Sequence, residues 1–421
     1  MKRNLAGNVR DFVLRGFQPR YGELAGTFGA SALWKKLGKL GTQLWLDTGN
    51  MAEAGKLWTE EMSALTTNNT LLNAEVQTGR YDALVKEAAA LLDECGDLSA
   101  RERRLELAFI LNAYHGLRLV EKFDARVSVE EHTDLALDLD GAVACARRYH
   151  EICPERFIVK LPFTAEGLLA TRRLAAEGIA VNHTLGFSAR QNYVIAAIGR
   201  PQFVNVFLGR LNAFALDNQL GDGEWVGERA TLASQQAVRR LRKTLGVPTM
   251  QIAASLRSGR QIRDLAGVDV MTMPPKAAQQ FLDLGLKASD LKDCMGRDYH
   301  PRFAAGVNPA AVGLPTLWDI DDPLVACVDA ALKENLDAFS GGDLAGFFAE
   351  HGCGDVFVRW TSDQLAASAA EGKIPRLSTW HEVLASGRAG LDSLMNLAGL
   401  NSFRADQKAM DDRVAGVLAA K

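Results

Sequence analysis

Eight short apolar segments, each about as long as one β-strand, dominate the chain from residue 43 onward. Amphipathic stretches of helical length lie between them, for example at 165–177 and 231–245. Strands that alternate with helices favour a parallel sheet, because each crossover returns through a helix. The eight segments are 43–47, 63–67, 125–130, 157–161, 179–184, 203–207, 250–253 and 268–272.

Eight such strands in one block predict an α/β fold, a closed (β/α)8 TIM barrel, which typically needs about 250 residues. A doubly wound open sheet is the main alternative. The first strand-to-helix connection reads DTGN and not G-x-G-x-x-G. The sequence therefore gives no support to a Rossmann-type sheet that cradles a dinucleotide.

The pattern of apolar and helix-like segments divides the chain into three parts. Residues 1–40 predict an N-terminal helical lead-in of one or two helices, and residues 41–286 predict the barrel. Residues 287–421 predict a helical C-terminal extension, in which 323–344 and 379–418 are largely helical. The extension could cover the outer helices, form a dimer contact or lie over the mouth of the barrel.

The composition excludes several classes of protein. A net charge of −3 gives no electrostatic reason to expect a nucleic-acid partner. No stretch approaches about 18 consecutive apolar residues, so we expect no membrane span. The six cysteines form no C-x-x-C pair, which argues against zinc and predicts a reduced, cytoplasmic setting.

Lys160 lies inside the apolar segment FIVKLPFT. An amine enclosed by apolar walls loses hydration, which favours its neutral form, and a neutral amine can attack a carbonyl to form a Schiff base. The simpler interpretation is a lysine at the end of a strand whose amine reaches water. The residues at the ends of the other strands decide against that simpler interpretation.

Polar side chains stand where the other predicted strands end, and the C-terminal ends of barrel strands are where TIM-barrel enzymes carry their chemistry. Carboxylates there suit acid–base catalysis, amides and hydroxyls suit binding of water and substrate hydroxyls, and arginines suit bidentate binding of phosphate. Each residue alone could equally be a helix cap, a salt-bridge partner or a structural arginine. The residues are Asp47, Asn68, Glu130, Asn182, Thr184, Arg210, Ser255 and Arg257.

The sequence resembles the transaldolase family of class I Schiff-base enzymes between about residues 43 and 286. The resemblance implies a (β/α)8 fold, sugar-phosphate substrates and no metal or organic cofactor. It is carried by LWLDTGN, LTTNNTLL, ARVSVE, FIVKLPFTAEGL, EGIAVNHTLGFS, NVFLGRL, AASLRS and LAGVDVMTMPP.

The resemblance implies roles at the matching positions. Lys160 corresponds to the Schiff-base lysine, and Asp47 to the aspartate that exchanges the proton of the C4 hydroxyl. Glu130 and Thr184 correspond to the pair that activates the catalytic water. Asn68 and Asn182 correspond to the amides that hold substrate hydroxyls and the carbinolamine. Arg210, Ser255 and Arg257 correspond to the phosphate-binding positions.

The chain departs from the family pattern at several positions. Phe207 occupies a position where transaldolases carry Phe and the related fructose 6-phosphate aldolases carry Tyr. Asn205 replaces the usual serine, which could shift the C1 position of the donor. Asn69 replaces a proline, from which we expect a looser loop, and Gly186 is smaller than usual.

The resemblance implies a transaldolase of the pentose phosphate pathway. Such an enzyme transfers a dihydroxyacetone unit from fructose 6-phosphate or sedoheptulose 7-phosphate to an aldose phosphate. Two alternatives remain open: an aldolase-like enzyme that releases dihydroxyacetone, and a non-catalytic scaffold protein that binds sugar phosphates. We expect sugar phosphates as partners, without nucleic acid or membrane, and a homodimer remains open.

Overall fold

The computed structural model describes residues 4–24 and 26–420. Residues 1–3 and 25 of the expected lead-in, and residue 421 of the expected extension, lie outside the described residues. Eight parallel strands close into a barrel in chain order, which confirms the predicted (β/α)8 fold. The strands are β1 Gln43–Asp47, β2 Met62–Thr66, β3 Arg126–Glu130, β4 Phe157–Pro162, β5 Val181–Thr184, β6 Phe203–Phe207, β7 Met250–Ala254 and β8 Val270–Met273.

The barrel closes where β1 pairs in parallel with β8, with Gln43 opposite Val270. All observed strand ends lie within two residues of the predicted ones. The largest differences, two residues each, are at the starts of the fifth and eighth strands. At the fifth strand, Gly178 adopts a positive φ of 77° and the chain enters the ladder only at Val181.

Helices follow the strands because short polar side chains cap them directly after the strand ends. Asn68, Thr164, Ser188 and Ser258 each accept a hydrogen bond from a backbone N–H in the first turn of the next helix. The α-helices from the start of the described chain to the helix that follows β8 are α1 Leu5–Leu14, α2 Ala32–Lys39, α3 Met51–Leu57, α4 Asn69–Gln77, α5 Asp82–Cys95, α6 Ala100–Phe123, α7 Leu139–Ile152, α8 Ala165–Ala176, α9 Ala189–Val194, α10 Leu208–Asp217, α11 Val226–Leu245, α12 Gly259–Asp264 and α13 Pro275–Leu282.

An apolar cluster fills part of the barrel. Trp45 packs edge-on against Phe203 with ring centroids 4.7 Å apart, and Ile158, Ile252 and Val270 complete its centre. A second, larger cluster lies between the strands and the surrounding helices. The polar ends of the strands are thereby left to line one mouth of a packed barrel.

Five further α-helices form the described part beyond residue 287. The segments 323–344 and 379–418 are largely helical, as predicted, and each contains parts of two α-helices with a break between them. In the first, Ser340 caps a new helix, and in the second, Gly387 adopts a positive φ of 68° that ends the preceding helix. The helices are α14 Asp322–Ala331, α15 Gly341–Glu350, α16 Ser362–Glu371, α17 Leu377–Ala385 and α18 Leu391–Ala419.

The long helix α18 crosses the mouth of the barrel at the C-terminal ends of the strands. Near its start, Asn396 donates a hydrogen bond to the Leu185 carbonyl, just after β5. Further along, Asp406 accepts a hydrogen bond from Thr70, just after β2, and the helix packs against α4 and α5. The extension therefore covers the mouth of the barrel and also packs on the outer helix α5.

A buried ion pair fixes the start of α18 to the barrel. Arg190 on α9 makes two hydrogen bonds to Asp392, from Nε at 2.8 Å and from Nη2 at 2.7 Å. Its remaining nitrogen lies 2.7 Å from Asp355, and Ser188 also donates to Asp392. Within the described residues, no helix is long and apolar enough to cross a membrane.

Candidate active site

Lys160 is buried at the C-terminal end of β4, with 4% of its surface exposed. Parallel pairing places it opposite Glu130 on β3 and Asn182 on β5. Its Nζ lies 3.5 Å from Glu130 Oε1 and donates to the Thr67 carbonyl at 3.3 Å. The amine is thus held by one carboxylate and one carbonyl inside the barrel mouth.

Glu130 is oriented by the backbone of the neighbouring loop. The N–H of Asn69 donates to its Oε2 at 3.0 Å, while Oε1 faces Lys160. Burial raises the pKa of Glu130 above its ordinary value, whereas Lys160 and the Asn69 N–H act in the opposite direction. A carboxyl group beside a reacting amine can act as a general acid or base.

Asp47 ends β1 on another side of the same mouth. Thr66 donates to its Oδ1 at 2.6 Å, and Thr272 lies 2.6 Å from the Thr66 hydroxyl. Because Thr66 gives its single proton to Asp47, Thr272 is the donor in the second bond. Burial raises the pKa of Asp47, although Thr66 and the charge of Lys160 oppose that rise.

A row of amides lies beside Lys160. Asn182 donates to the Ser128 hydroxyl at 3.2 Å and accepts from Asn205 Nδ2 at 3.1 Å. Asn205 Nδ2 also donates to the His183 carbonyl at 3.2 Å. The hydroxyl of Thr184 is buried and has no hydrogen-bond partner within the described chain, so it is available to a water or a substrate.

A cavity of about 480 Å³ opens beside these residues and carries four cations on its wall. Arg210 is buried, and its Nη1 has no hydrogen-bond partner in the part of the chain that the structure describes. Burial and the nearby Arg257 lower the pKa of Arg210 to about 10, which leaves it charged at neutral pH. The cavity is lined by Asp47, Asn68, Thr70, Leu71, Phe207, Arg210, Ser255, Leu256, Arg257, Pro274, Lys276, Ala277, Lys373 and Phe403.

The loop after β7 approaches the first turn of α10 very closely. A Cβ at Gly209 would lie 2.2 Å from the Ser255 carbonyl oxygen and 2.6 Å from Arg257 Cγ, so a side chain does not fit there. Ser255 adopts a positive φ of 61°, which is uncommon outside glycine and recurs at functional sites. The close approach of Gly209 to the loop after β7 places Arg210 next to the exposed Arg257.

The departures at Asn69 and Gly186 have structural explanations. Asn69 is fully buried, and its side chain donates to the Glu131 carbonyl at 3.3 Å, which holds the loop at this position. A proline at this position would remove the N–H that holds Glu130. At Gly186, a Cβ would lie 2.4 Å from the Asn205 carbonyl oxygen, which explains the smallest residue there.

The sequence-predicted residues fall into two groups. Lys160, Glu130, Asn182, Thr184 and Asn205 are buried in the barrel. The others lie on the cavity wall: Asp47, Asn68, Phe207, Arg210, Ser255 and Arg257. All of them belong to one mouth of the barrel, although Asn68 already uses its side-chain oxygen to cap α4 through Leu71 N–H.

Sequence reasoning assigned no site role to the backbone of Asn69, to Phe403 or to Lys373. The N–H of Asn69 holds Glu130, and its proximity to a strand end was the available signal. Phe403 and Lys373 reach the cavity from the extension, where helical spacing gives no indication of a site. Over residues 4–24 and 26–420, no group of three or more His, Cys, Asp or Glu could hold a metal ion.

Comparison with known proteins identifies the family to which most of the chain is similar. Residues 44–313 match the sequence profile of the family described as Transaldolase/Fructose-6-phosphate aldolase. A protein named "Probable transaldolase" from Thermus thermophilus is 34% identical over 254 residues, which cover 58% of this chain and 95% of that protein.

Longer relatives match over part of their length. "Transaldolase" from Bos taurus is 31% identical over 226 residues, which cover 52% of this chain and 66% of that protein. "Transaldolase" from Xanthomonas euvesicatoria pv. vesicatoria is 32% identical over 225 residues, covering 51% of this chain and 68% of that protein. Residues beyond 313, which include α14 to α18, lie outside the family match.

Proposed function

The chain belongs to the transaldolase/fructose-6-phosphate aldolase family, and on that premise we propose that it transfers a dihydroxyacetone unit from a ketose phosphate to an aldose phosphate. Relatives are named transaldolases, which supports this reaction type. The observation that carries the proposal is the buried amine of Lys160 beside Glu130, next to a cationic cavity. Fructose 6-phosphate or sedoheptulose 7-phosphate is the proposed donor, which would give the enzyme a place in the pentose phosphate pathway.

The first step is formation of an imine on Lys160. The neutral amine attacks C2 of the ketose, a C–N bond forms, and the former carbonyl oxygen is protonated and leaves as water. Glu130 lies 3.5 Å from the amine and supplies and removes the protons. The unpartnered hydroxyl of Thr184 supports a role in holding the water that leaves and later returns.

The second step breaks the C3–C4 bond. Asp47 takes the proton of the C4 hydroxyl, C4 becomes an aldehyde, and the electron pair of the broken bond neutralises the iminium and gives an enamine. The aldose phosphate then leaves with C4. The raised pKa of Asp47 suits a group that first accepts this proton and later returns it.

The third step is the transfer itself. C3 of the enamine attacks the aldehyde carbon of the acceptor, and Asp47 returns its proton to the new hydroxyl. Water then adds to the regenerated iminium, the C–N bond breaks, and the product ketose leaves. The iminium is the electron sink, so this mechanism uses no metal or organic cofactor.

The cationic part of the cavity is the proposed phosphate site. Arg210 offers one buried nitrogen, Nη1, that has no hydrogen-bond partner among the described residues, and Arg257 and Ser255 lie on the same wall. Charge-assisted hydrogen bonds to phosphate are stronger than neutral ones, and binding remote from the reacting bond positions the carbons. Phe207, which packs against Phe187 at 5.6 Å, brings no hydroxyl to the site and supports transfer over release.

Trapping with borohydride tests the proposed function. After incubation with fructose 6-phosphate and reduction, we expect a three-carbon adduct on Lys160 by mass spectrometry. Lys276→Ala, which removes an exposed amine on the cavity wall, should retain the adduct, and Lys160→Ala should lose it. A folded wild-type protein without an adduct on Lys160 for either ketose phosphate would refute the proposal.

Adding erythrose 4-phosphate separates the two reactions that the family carries out. A transferase consumes the trapped species and forms sedoheptulose 7-phosphate, so the adduct should decrease as product appears. An enzyme that releases dihydroxyacetone would form free dihydroxyacetone at a rate that the acceptor does not change.

A further inference from the structure

The residues assigned to the mechanism all lie within 44–313, the segment that matches the family. The wall of the cavity nevertheless includes Phe403 and Lys373, which come from the extension beyond that segment. A part of the chain outside the family match therefore contributes side chains to the site. Phe403 is the one that reaches the reacting amine.

Phe403 lies on α18 and is 3% exposed. Its ring centroid is 5.4 Å from Nζ of Lys160 and 5.6 Å from Cζ of Arg210. The ring thus faces both the proposed nucleophile and the proposed phosphate ligand. Cations at this distance from an aromatic face are attracted to it, and the ring excludes water from the side of the amine that it covers.

The position of the ring is fixed by contacts along α18. Four residues before Phe403, a Cβ at Gly399 would lie 2.9 Å from Leu185 Cδ2 and 3.5 Å from Arg210 Nη1, so the helix backbone lies close to the barrel. On the other side, Asp406 accepts a hydrogen bond from Thr70. The helix therefore cannot lift at Phe403 without breaking contacts on both sides.

We propose that Phe403 is a specificity-determining residue that shields the three-carbon enamine on Lys160 from water and so favours transfer over release of dihydroxyacetone. This inference rests on the proposed function. The carbon skeleton is attached to Nζ, so its atoms lie one to two bonds from an amine that the ring already covers. Closed sites protect reactive intermediates from water in this way.

Transfer and release differ in what the enamine carbon receives. In transfer, C3 forms a bond to the acceptor's aldehyde carbon, and the proton from Asp47 goes to the aldehyde oxygen. In release, C3 takes a proton from water, the hydroxide adds to C2 of the iminium, and the C–N bond breaks to give dihydroxyacetone and the free amine. Only release needs a proton donor at C3, so an apolar ring there slows release selectively.

Phe403→Ala and Met410→Ala form a matched pair for testing this inference. Met410 is also fully buried on α18 but belongs to a wall formed with α6, away from the proposed site. The readout is the ratio of free dihydroxyacetone formed from fructose 6-phosphate alone to sedoheptulose 7-phosphate formed with erythrose 4-phosphate. We expect Phe403→Ala to raise this ratio by about tenfold, which corresponds to about 1.4 kcal/mol, and Met410→Ala to leave it unchanged.

Phe403→Leu serves as the second variant because it keeps an apolar side chain and should raise the ratio less than Phe403→Ala. In deuterium oxide, each released dihydroxyacetone molecule should carry one carbon-bound deuterium. The alanine variant should form more of this labelled product than the wild type does. An unchanged ratio in both folded Phe403 variants, with the Lys160 adduct intact, would overturn the inference and leave the proposed function standing. Absence of the adduct in the wild type would instead refute the proposed function.

Discussion

The backbone N–H of Asn69 donates a 3.0 Å hydrogen bond to Oε2 of Glu130, and this bond joins the start of α4 to the carboxylate beside Lys160. The bond lowers the pKa of Glu130 against the larger effect of burial, which raises it. A main-chain group thus adjusts the acidity of the carboxyl group that is proposed to act on the imine. Because proline lacks an N–H, this adjustment depends on a residue other than proline at position 69.

Asn69→Pro should move the acidic limb of the kcat/KM profile to higher pH. Removal of the N–H raises the pKa of Glu130, so the active carboxylate is lost at a higher pH as the solution is acidified. A hydrogen bond to a charged group is worth about 1.5–3 kcal/mol. The shift should therefore be on the order of one pH unit, since about 1.4 kcal/mol corresponds to one pKa unit.

Asn69→Ala is the control for that substitution, because it keeps the N–H and loses only the side-chain bond to the Glu131 carbonyl. Its acidic limb should coincide with that of the wild type. Since Glu130 and Asp47 interact, the limb reports the pair together. Equal shifts in the two variants would assign the effect to packing of the loop and not to the N–H.

Arg210→Gln should weaken binding of phosphorylated acceptors more than Arg257→Gln does. Arg210 is buried with an unpartnered nitrogen, whereas Arg257 is exposed. Loss of a charge-assisted bond at a buried site costs about 1.5–3 kcal/mol, so KM should rise roughly 10- to 150-fold, against less than about fivefold at the exposed site. Glyceraldehyde 3-phosphate and unphosphorylated glyceraldehyde are the matched acceptors, and equal losses with both would contradict a phosphate role.

Asn205→Ser should weaken donor binding and reduce stability. The substitution removes the bonds that Asn205 Nδ2 donates to Asn182 Oδ1 and the His183 carbonyl, so the Asn182 side chain keeps only its bond to the Ser128 hydroxyl. We expect a loss of about 1–3 kcal/mol in the free energy of unfolding and a higher KM for fructose 6-phosphate. Steady-state kinetics and urea unfolding measure the two effects.

Ser234→Ala is the comparison for Asn205→Ser, because Ser234 hydrogen-bonds to Asn192 and Gln251. Asn192 also donates to the Asn205 carbonyl, but Ser234→Ala leaves the bonds of the Asn205 side chain in place. It should reduce stability by a similar amount while leaving KM for the donor unchanged. If KM rose equally in both variants, the effect at Asn205 would follow from lost stability and not from the orientation of Asn182.

Asp392→Ala should strongly destabilise the attachment of α18. Asp392 is fully buried and makes two bonds to Arg190, so its loss leaves a buried guanidinium with Asp355 as its remaining carboxylate. Removal of one partner from a buried ion pair costs about 3–5 kcal/mol. Lys408→Ala, which breaks an exposed pair with Asp412 on the same helix, should change stability by less than about 0.5 kcal/mol. Similar unfolding midpoints for the two variants would contradict this prediction.

The sequence alone determined the barrel and most of the positions at its mouth. The period of apolar strands and amphipathic helices identified all eight strands, since burial of each strand between a packed interior and an outer helix forces that pattern. Strand-end residues such as Lys160, Glu130 and Asp47 followed from it, because the strands of a parallel barrel all end at the same mouth.

Only the tertiary structure decided which side chains reach the site from elsewhere in the chain. Phe403 stands some 240 residues after Lys160, and the sequence of α18 does not indicate which part of the molecule Phe403 packs against. The hydrogen bond from the Asn69 N–H to Glu130 could not be predicted for a different reason. Every residue except proline has a backbone N–H, so the residue type does not indicate which N–H will bind a carboxylate. Both contacts depend on how segments distant in sequence pack against each other. The apolar periodicity of a single segment does not contain that information.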